Sequence, residues 1–301
     1  MKKVVGVGAC VLDTLIECDR YLVEDKKTRA NKIIRTGGGP VANALVAISK
    51  MGVKSEFLGA LSKDADGKFL INEFKKYNVE TENVKMIEGT SAFVSYVILA
   101  KETASRTCAF NRGDVPDDYE NINFSAIDDA DIIHLDGNYL QSAIKSAEYA
   151  KSKGVMVSLD AGGLYENIED LLPYVDILIT SEEFALGITK AKTASEAIKI
   201  LQEKYLPKIL VVTQGVNGGL FVDDEKISRY DSFKVKCVDS NGAGDAFHGA
   251  FLVAYLNGLS IAKCCEFASA TSAIKCTKVG MRDALPTYNE VLDFIKNKNS
   301  R

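Results

Sequence analysis

The sequence predicts an α/β protein: a doubly wound, mostly parallel sheet flanked by helices, with a small separate β-sheet over it as a lid. Apolar runs of strand length alternate with segments of helical period along most of the chain, the pattern left by parallel strands joined through crossover helices. Two stretches break that rhythm and read as short alternating strands with no helix between them. The chain has 301 residues, 47% of them hydrophobic, enough to bury a substantial core, and it is read as one domain over residues 1–301.

In chain order, "KVVGVGA" is the first strand, and "LDTLIECDRYLVEDKKTRANKIIRTG" is the first stretch without helices. A helix runs from Val41 to Met51, with apolar positions three or four apart, followed by the strand "SEFLGAL" and a helix from Asp66 to Tyr77. The second such stretch is "SAFVSYVILAKETASRTCAFNRG"; together the two place a lid at about 12–36 and 91–112. Strands "DIIHLDG", "VMVSLDA", "VDILIT" and "KILVVTQG" follow, with helices from Ser142 to Lys153 and from Ala194 to Tyr205. Two more helices, from about Gly244 to Leu256 and from about Ile261 to Cys276, close the series.

Composition excludes several classes of function. A net charge of -4 and the absence of a long basic run argue against nucleic acid and against a membrane patch. No stretch of about 18 uninterrupted apolar residues occurs, and Asp13 and Glu17 interrupt the apolar run near the N-terminus, so neither a membrane span nor a signal peptide is expected and the location expected is cytoplasmic. Seven cysteines without a C-x-x-C pair, and two histidines far apart in sequence, point to neither a disulfide framework nor zinc. "GVGACV" lacks the third glycine of a dinucleotide turn, no G-x-x-x-x-G-K-[ST] loop occurs, and the protein-kinase motifs are missing.

Two stretches carry chemistry. "RTGGGPVANALVAISKMG" sets three glycines and Pro40 before a helix whose first turn holds Asn43. Glycines let a backbone approach a ligand closely, and an Asn amide can both donate to and accept from a hydroxyl-rich molecule. "VDSNGAGDAFHGAF" offers the amides of Gly242, Ala243 and Gly244 at a helix N-terminus, where a phosphate or a developing oxyanion is stabilised. Asp245 follows, near enough to take a proton from a hydroxyl attacking a phosphorus atom held above those glycines. The helix dipole would depress its pKa, which an ionised base tolerates. Alternatively Asp245 only stabilises the first helical turn, which would need no Gly-Ala-Gly ahead of it.

These two stretches resemble the signature motifs of the ribokinase family of carbohydrate and nucleoside kinases, also called the phosphofructokinase B family. The likeness extends over most of the chain, through "GALSKDADG", "SEEF" and "TQGVNGG". The resemblance implies the ribokinase-like fold and an ATP-dependent transfer of the γ-phosphate to a sugar hydroxyl. It implies Asp245 as catalytic base and the amides of Gly242 to Gly244 as anion hole. Asp13, Gly38, Gly39 and Asn43 match substrate-binding positions; Thr213, Gly215 and Gly218 match the nucleotide loop. Glu183 matches the acid of an Asn-x-x-Glu motif that organises magnesium through water, with Thr180 at the position of its Asn beside the nucleotide. Asp239, Asn241 and Gly280 match ligands of a monovalent cation, but Ala284 stands where a polar residue is common, which leaves potassium activation open. Pro40, in place of a Lys usual in ribokinases proper, points away from ribose.

The likeness is strongest to members acting on ketoses, including sulfofructose kinases. Lys27, Asn111 and Arg112, in the lid segments, could meet an anionic substituent; Lys27 could equally belong to a solvated face, and Arg112 could pin a lid-to-body turn. Asp136, Asn138 and Asp160 follow strand-like runs at the edge where doubly wound sheets bind ligands, and one of them is expected to touch sugar. Two readings stay beside the sugar kinase: a nucleoside kinase with Phe93, Tyr96 and Phe110 against the base, and a non-catalytic sugar-binding homologue. Exposed lid edges would be covered in a homodimer.

Overall fold

In a computed structural model, residues 2–103, 105–117, 122–223 and 226–299 are described; Ala104, inside the second expected lid segment, lies outside them. In chain order the elements are β1 Lys3–Val7, β2 Val11–Cys18, β3 Lys32–Gly38, α1 Pro40–Lys50, β4 Lys54–Phe57, β5 Gly59–Ser62, α2 Ala65–Lys76 and β6 Val84–Ile87. β7 Val94–Ala100, β8 Ser105–Asn111, β9 Ile132–Leu135, α3 Leu140–Lys153, β10 Met156–Ala161, β11 Ile177–Ser181, α4 Glu182–Thr189 and α5 Ala194–Tyr205 follow. The last are β12 Ile209–Thr213, β13 Gly219–Asp223, β14 Lys226–Tyr230, α6 Ala243–Leu256, α7 Ile261–Cys276 and α8 Tyr288–Asn299.

The main sheet has eight strands in the order β14-β13-β12-β11-β10-β9-β1-β4. β4 through β12 pair in parallel, and β13 and β14 are added antiparallel at one edge. Successive strand residues supply two cores, as side-chain alternation requires. Val4, Ile132, Ile179 and Val211 pack with Leu45 of α1, Phe251 of α6 and Phe267 of α7; Val5, Ile133, Leu178 and Leu210 pack with Ala147 of α3, Phe184 of α4 and Leu201 of α5. Residues 246–254 of α6 are all buried, the environment a helix apolar on every side requires. Among the described residues no helix is long and apolar enough to cross a membrane.

The two stretches without helices form a separate four-stranded sheet, β3-β2-β7-β8, far apart in sequence but paired in space as expected. β2 and β7 run parallel, and the outer pairs are antiparallel. Register sets its two faces: Asp13 lies beside Thr36 and Ser95, and Ser95 beside Phe110, while on the opposite face Ile16 lies beside Ile33 and Ile98.

The sequence reading differs from the structure at "SEFLGAL", which is two strands rather than one. The chain leaves the main sheet after Phe57, and β5 pairs in parallel with β6 in a sheet of its own. The antiparallel edge β13-β14 and the helices α4 and α8 were not anticipated.

Candidate active site

The loops after β1, β9, β10, β11 and β12 gather at the C-terminal edge of the parallel sheet, where the strands' carboxyl ends open a crevice. Asp136, just beyond β9, ties this edge together. Its Oδ2 accepts from Ala9 N at 2.8 Å and Val41 N at 3.3 Å, and its Oδ1 from Asn138 N at 2.9 Å. Gly8 must lack a side chain, since a Cβ there would lie 2.5 Å from the Asp136 carboxylate. Asp136 is thus a fastener of β1, β9 and α1, and its carboxyl is raised above the usual range by burial.

Asp13 and the glycines of the first motif meet where β2 pairs with β3. Gly39, with φ 97°, precedes α1, where a Cβ would strike Ala9 O at 2.3 Å; at Gly38 a Cβ would fall 2.0 Å from Asp13 Oδ2. The bare glycines therefore let the Asp13 carboxylate lie against the backbone at the mouth of α1. Ser95 Oγ donates to Asp13 Oδ1 at 2.5 Å. Burial pushes the Asp13 carboxyl up, opposed by Ser95 and by the positive Arg282.

Asp245 sits in the first turn of α6, behind Gly242 with φ 72°. The turn requires glycine at Gly242, where a Cβ would strike Met281 Cγ at 2.2 Å, whereas a Cβ on Gly244 would meet nothing within 4 Å: the backbone there faces open space. Asn43 Nδ2 donates to Asp245 Oδ2 at 2.7 Å, which joins the two sequence motifs. The Asn43 amide is itself held by Arg282, whose Nε donates to Asn43 Oδ1 at 3.1 Å and whose Nη2 donates to Gly38 O at 3.4 Å. The Arg282 side chain is fully buried, stacked over Phe74, with Nη1 at 3.8 Å from Glu73 Oε2.

The depression of Asp245 expected from the helix dipole does not occur. Burial pushes its carboxyl up to about 6; the negative Asp160 adds to this, and Asn43 and His248 oppose it. Desolvation outweighs a dipole contribution of about 0.3–1 kcal/mol. Behind it the two histidines, distant in sequence, meet: His248 Nε2 lies 3.1 Å from Asp160 Oδ1, and His134 Nδ1 lies 3.2 Å from Ser158 Oγ. Among the described residues these three, His134, Asp160 and His248, form the one group with metal-ligand types clustered within 4.8 Å. Burial holds His134 neutral, its pKa down to about 3, and His248 pairs Asp160 to α6.

A cavity of about 560 Å³ begins beside Ala243 and Gly244 and runs to Thr213, Gly215 and Gly218, with Phe233 and Val235 along it. Gly215 and Gly218 have φ 57° and 78°, and a Cβ on Gly218 would strike Tyr230 O at 2.1 Å. The groove is walled by apolar groups at one end and by bare helix-terminal amides at the other, so it could hold an apolar ring and an anionic group at once. Thr213 Oγ1 donates to Thr180 O at 3.2 Å. Thr180 is fully buried with its hydroxyl turned to Ser181 O, so it supports Thr213 from behind. Glu183 is exposed in the first turn of α4, while the neighbouring Glu182 accepts from Gln214 Nε2 at 2.8 Å.

The remaining expected residues are arranged differently. Arg112 donates to Asn138 O and covers the Tyr139 ring, pinning the end of β8 to the body. Asn111 Oδ1 accepts from Gly113 N at 2.9 Å within its own turn. Lys27 is exposed between β2 and β3, and among the described residues no hydrogen bond or ion pair joins it to Asp13, Asn43 or Asp245. Asp239 accepts from Asn241 N at 2.8 Å and Gly280 N at 2.9 Å. Arg282, Lys275 and Arg106, which donates from β8 to Asn241 Oδ1, were not singled out in the sequence. The signal for the first two was present: with Lys278 they are the basic residues inside the largely apolar "AIKCTKVGMRDALP".

The model of the pfkB family carbohydrate kinases matches residues 1–288. The chain belongs to this family. Among curated relatives it is 27% identical to the 5-dehydro-2-deoxygluconokinase of Clostridium botulinum, over 99% of this chain and 94% of the relative. It is 28% identical to the probable fructokinase-5 of Arabidopsis thaliana, over 88% and 90%. Among solved structures, Arabidopsis thaliana ribokinase complexed with ribose and ATP superposes with a TM-score of 0.86 at 25% identity, over 98% and 99% of the two chains. The nucleoside kinase of Methanocaldococcus jannaschii shares the fold, with a TM-score of 0.82 at 21% identity over 99% of each chain.

Proposed function

We propose that this pfkB-family carbohydrate kinase moves the γ-phosphate of ATP to a hydroxyl of a ketose or ketose-like sugar derivative, with Asp245 as base. The observation that carries the assignment is the hydrogen bond from Asn43 to Asp245: it puts the substrate-side motif and the phosphate-side motif on one cleft, with the Gly244 backbone open beside them. Asp13, Gly38, Gly39 and Asn43 hold sugar hydroxyls; Thr213, Gly215 and Gly218 hold the nucleotide; the Gly242 to Gly244 turn receives the transferring phosphoryl group. Asp245 accepts the proton of the attacking hydroxyl, whose oxygen bonds to the γ-phosphorus as the bond to the β-phosphate oxygen breaks and ADP leaves. Glu183, exposed in the first turn of α4, would hold a magnesium ion through its waters, and the ion would supply neutralisation of the phosphate charge.

Residues 1–301 act as one kinase domain, with the small sheet as its lid: Asp13 and Phe110 share its cleft-side face. Ile33 and Tyr96, exposed at 62% and 51%, stand on the other face with Ile16 and Ile98, an apolar patch that supports a homodimer through the lids. A monomer mass by light scattering overturns the dimer. Seven free thiols fit a reducing, cytoplasmic location.

The function is tested by turnover of ATP and magnesium with D-fructose, 5-dehydro-2-deoxygluconate, ribose, sugar acids and nucleosides, with the products identified by mass. Phosphorylation of a ketose or its derivative with the highest kcat/KM is expected. Phe110, 66% exposed and packed against Phe93, supports the nucleoside reading, and a nucleoside with the highest kcat/KM would put it first. A panel in which a sugar binds and nothing is phosphorylated would leave the non-catalytic reading.

A further inference from the structure

A buried ammonium stands beneath the turn that carries Gly242 to Gly244. Lys275, in the last turn of α7, is fully buried; its Nζ donates to Asp239 O at 2.7 Å and lies 3.6 Å from Asp239 Oδ2. Both carboxylate oxygens of Asp239 are engaged as well, by Asn241 N and Gly280 N, so this acid fastens the turn before α6 to the loop after α7. Val238 N and Asp239 N complete the fastening, both donating to Cys276 O, at 2.7 and 3.2 Å. Asn241 Oδ1 accepts from Arg106.

These are the residues that the family resemblance offers to a monovalent metal ion, and they do not fit one. The Asp239 carbonyl is taken by an ammonium, Asp239's carboxylate is spent on amides, and the Asn241 oxygen is spent on Arg106. A second unit charge about 4 Å from the ammonium would be repelled by about 4 kcal/mol at the effective dielectric of a protein. Asp239 for its part needs a positive partner, since a buried carboxylate left alone is strongly destabilising.

We infer that Lys275 is a built-in cation, doing for the anion-hole turn what a bound potassium ion would do, so that this kinase works without monovalent metal ions. The inference rests on taking the Gly242 to Gly244 turn as the anion hole. Lys275 touches neither sugar nor nucleotide in this arrangement; it is a positioning residue, acting through Asp239. An ammonium group and a potassium ion are of nearly equal size, so truncating the side chain leaves a hole, lined by the Asp239 carbonyl and carboxylate, that a potassium ion can enter.

The test compares wild type, Lys275→Ala and Lys275→Met in about 0.1 M potassium chloride and in tetramethylammonium chloride at equal ionic strength. Melting temperature is read first, then kcat with ATP, magnesium and D-fructose or 5-dehydro-2-deoxygluconate. Wild type should melt and turn over alike in both salts. Lys275→Ala should melt lower and lose at least tenfold in kcat in tetramethylammonium, and potassium should return most of the kcat and several degrees of melting temperature. Lys275→Met, whose side chain fills the hole, should be impaired equally in both. A wild type that loses activity or melts several degrees lower without potassium overturns the inference, as does a Lys275→Ala protein that potassium does not rescue or a Lys275→Met protein with wild-type kcat. The melting arm needs no turnover, so failure to phosphorylate either acceptor would count against the proposed reaction and leave the salt comparison to decide the role of Lys275.

Discussion

Replacing Asn43 by Leu keeps the approximate shape of the side chain but removes the donor that Asp245 Oδ2 receives at 2.7 Å. A hydrogen bond to a charged group contributes about 1.5–3 kcal/mol, and 1.36 kcal/mol is one pKa unit, so the bond lowers the Asp245 pKa by about 1–2 units at most. Because Asp245 keeps partial access to the cleft, water would recover some of that, and about one unit is the net expectation. The sign follows from the role: a base works when ionised, so activity is lost as pH falls through its pKa. With the wild-type carboxyl at about 6, the acid limb of kcat/KM should have its midpoint near there. In Asn43→Leu that midpoint should rise to about 7, so that the variant loses roughly fivefold more than wild type at about pH 6 than at about pH 8. Any loss of sugar affinity multiplies the whole profile and leaves the midpoint where it was. The assay is the initial rate at low sugar concentration across the pH range, corrected for enzyme stability. An Asn43→Leu profile with the wild-type midpoint would refute the coupling of Asn43 to the base.

Gly38→Ala drives a methyl group into the Asp13 carboxylate, 2.0 Å away, so the KM for sugar should rise at least tenfold with ATP affinity unchanged, by steady-state kinetics and calorimetry. Gly218→Ala places a side chain at φ 78° against Tyr230 O, and should raise the KM for ATP while leaving the affinity for sugar intact. Asp245 is raised above its ordinary carboxylate range in the fold, so the native state holds its proton more tightly than the unfolded chain, and its ionisation costs stability as pH rises through about 6. Asp245→Asn should therefore melt above wild type at neutral pH, and an unchanged or lower melting temperature would contradict a desolvated charge at that position.

Most of the parallel core was legible because its strands are apolar on both faces and its helices carry apolar stripes, and both patterns are local. "SEFLGAL" was misread because its apolar run continues while the chain changes sheets, a change made by long-range pairing with residues 84–87. The edge strands β13 and β14 have ordinary alternation in "GGLFVDDEKISRY", but the sequence between them is charged and carries no hairpin signal. In the site, glycines were readable as positions where the backbone can approach a ligand, and Asp245 as an acid beside them. What could not be read was who neutralises and orients whom: Arg282 reaches Asn43 across 239 residues and Lys275 reaches Asp239 across 36, and only the fold makes them neighbours. The dipole argument for Asp245 was local, and burial, which depends on the whole packed cleft, overruled it.

The claim at the centre is that Asp245 carries the proton transfer in a cleft that binds both substrates. It is tested most directly by comparing kcat for ATP-dependent sugar phosphorylation in wild type and Asp245→Asn, alongside calorimetric affinities for the sugar and for a non-hydrolysable ATP analogue. With both affinities within a few-fold of wild type, kcat should fall on the order of 10²–10⁴-fold, the range a positioned general base contributes. An Asp245→Asn enzyme that binds both ligands and turns over within a few-fold of wild type would contradict the account.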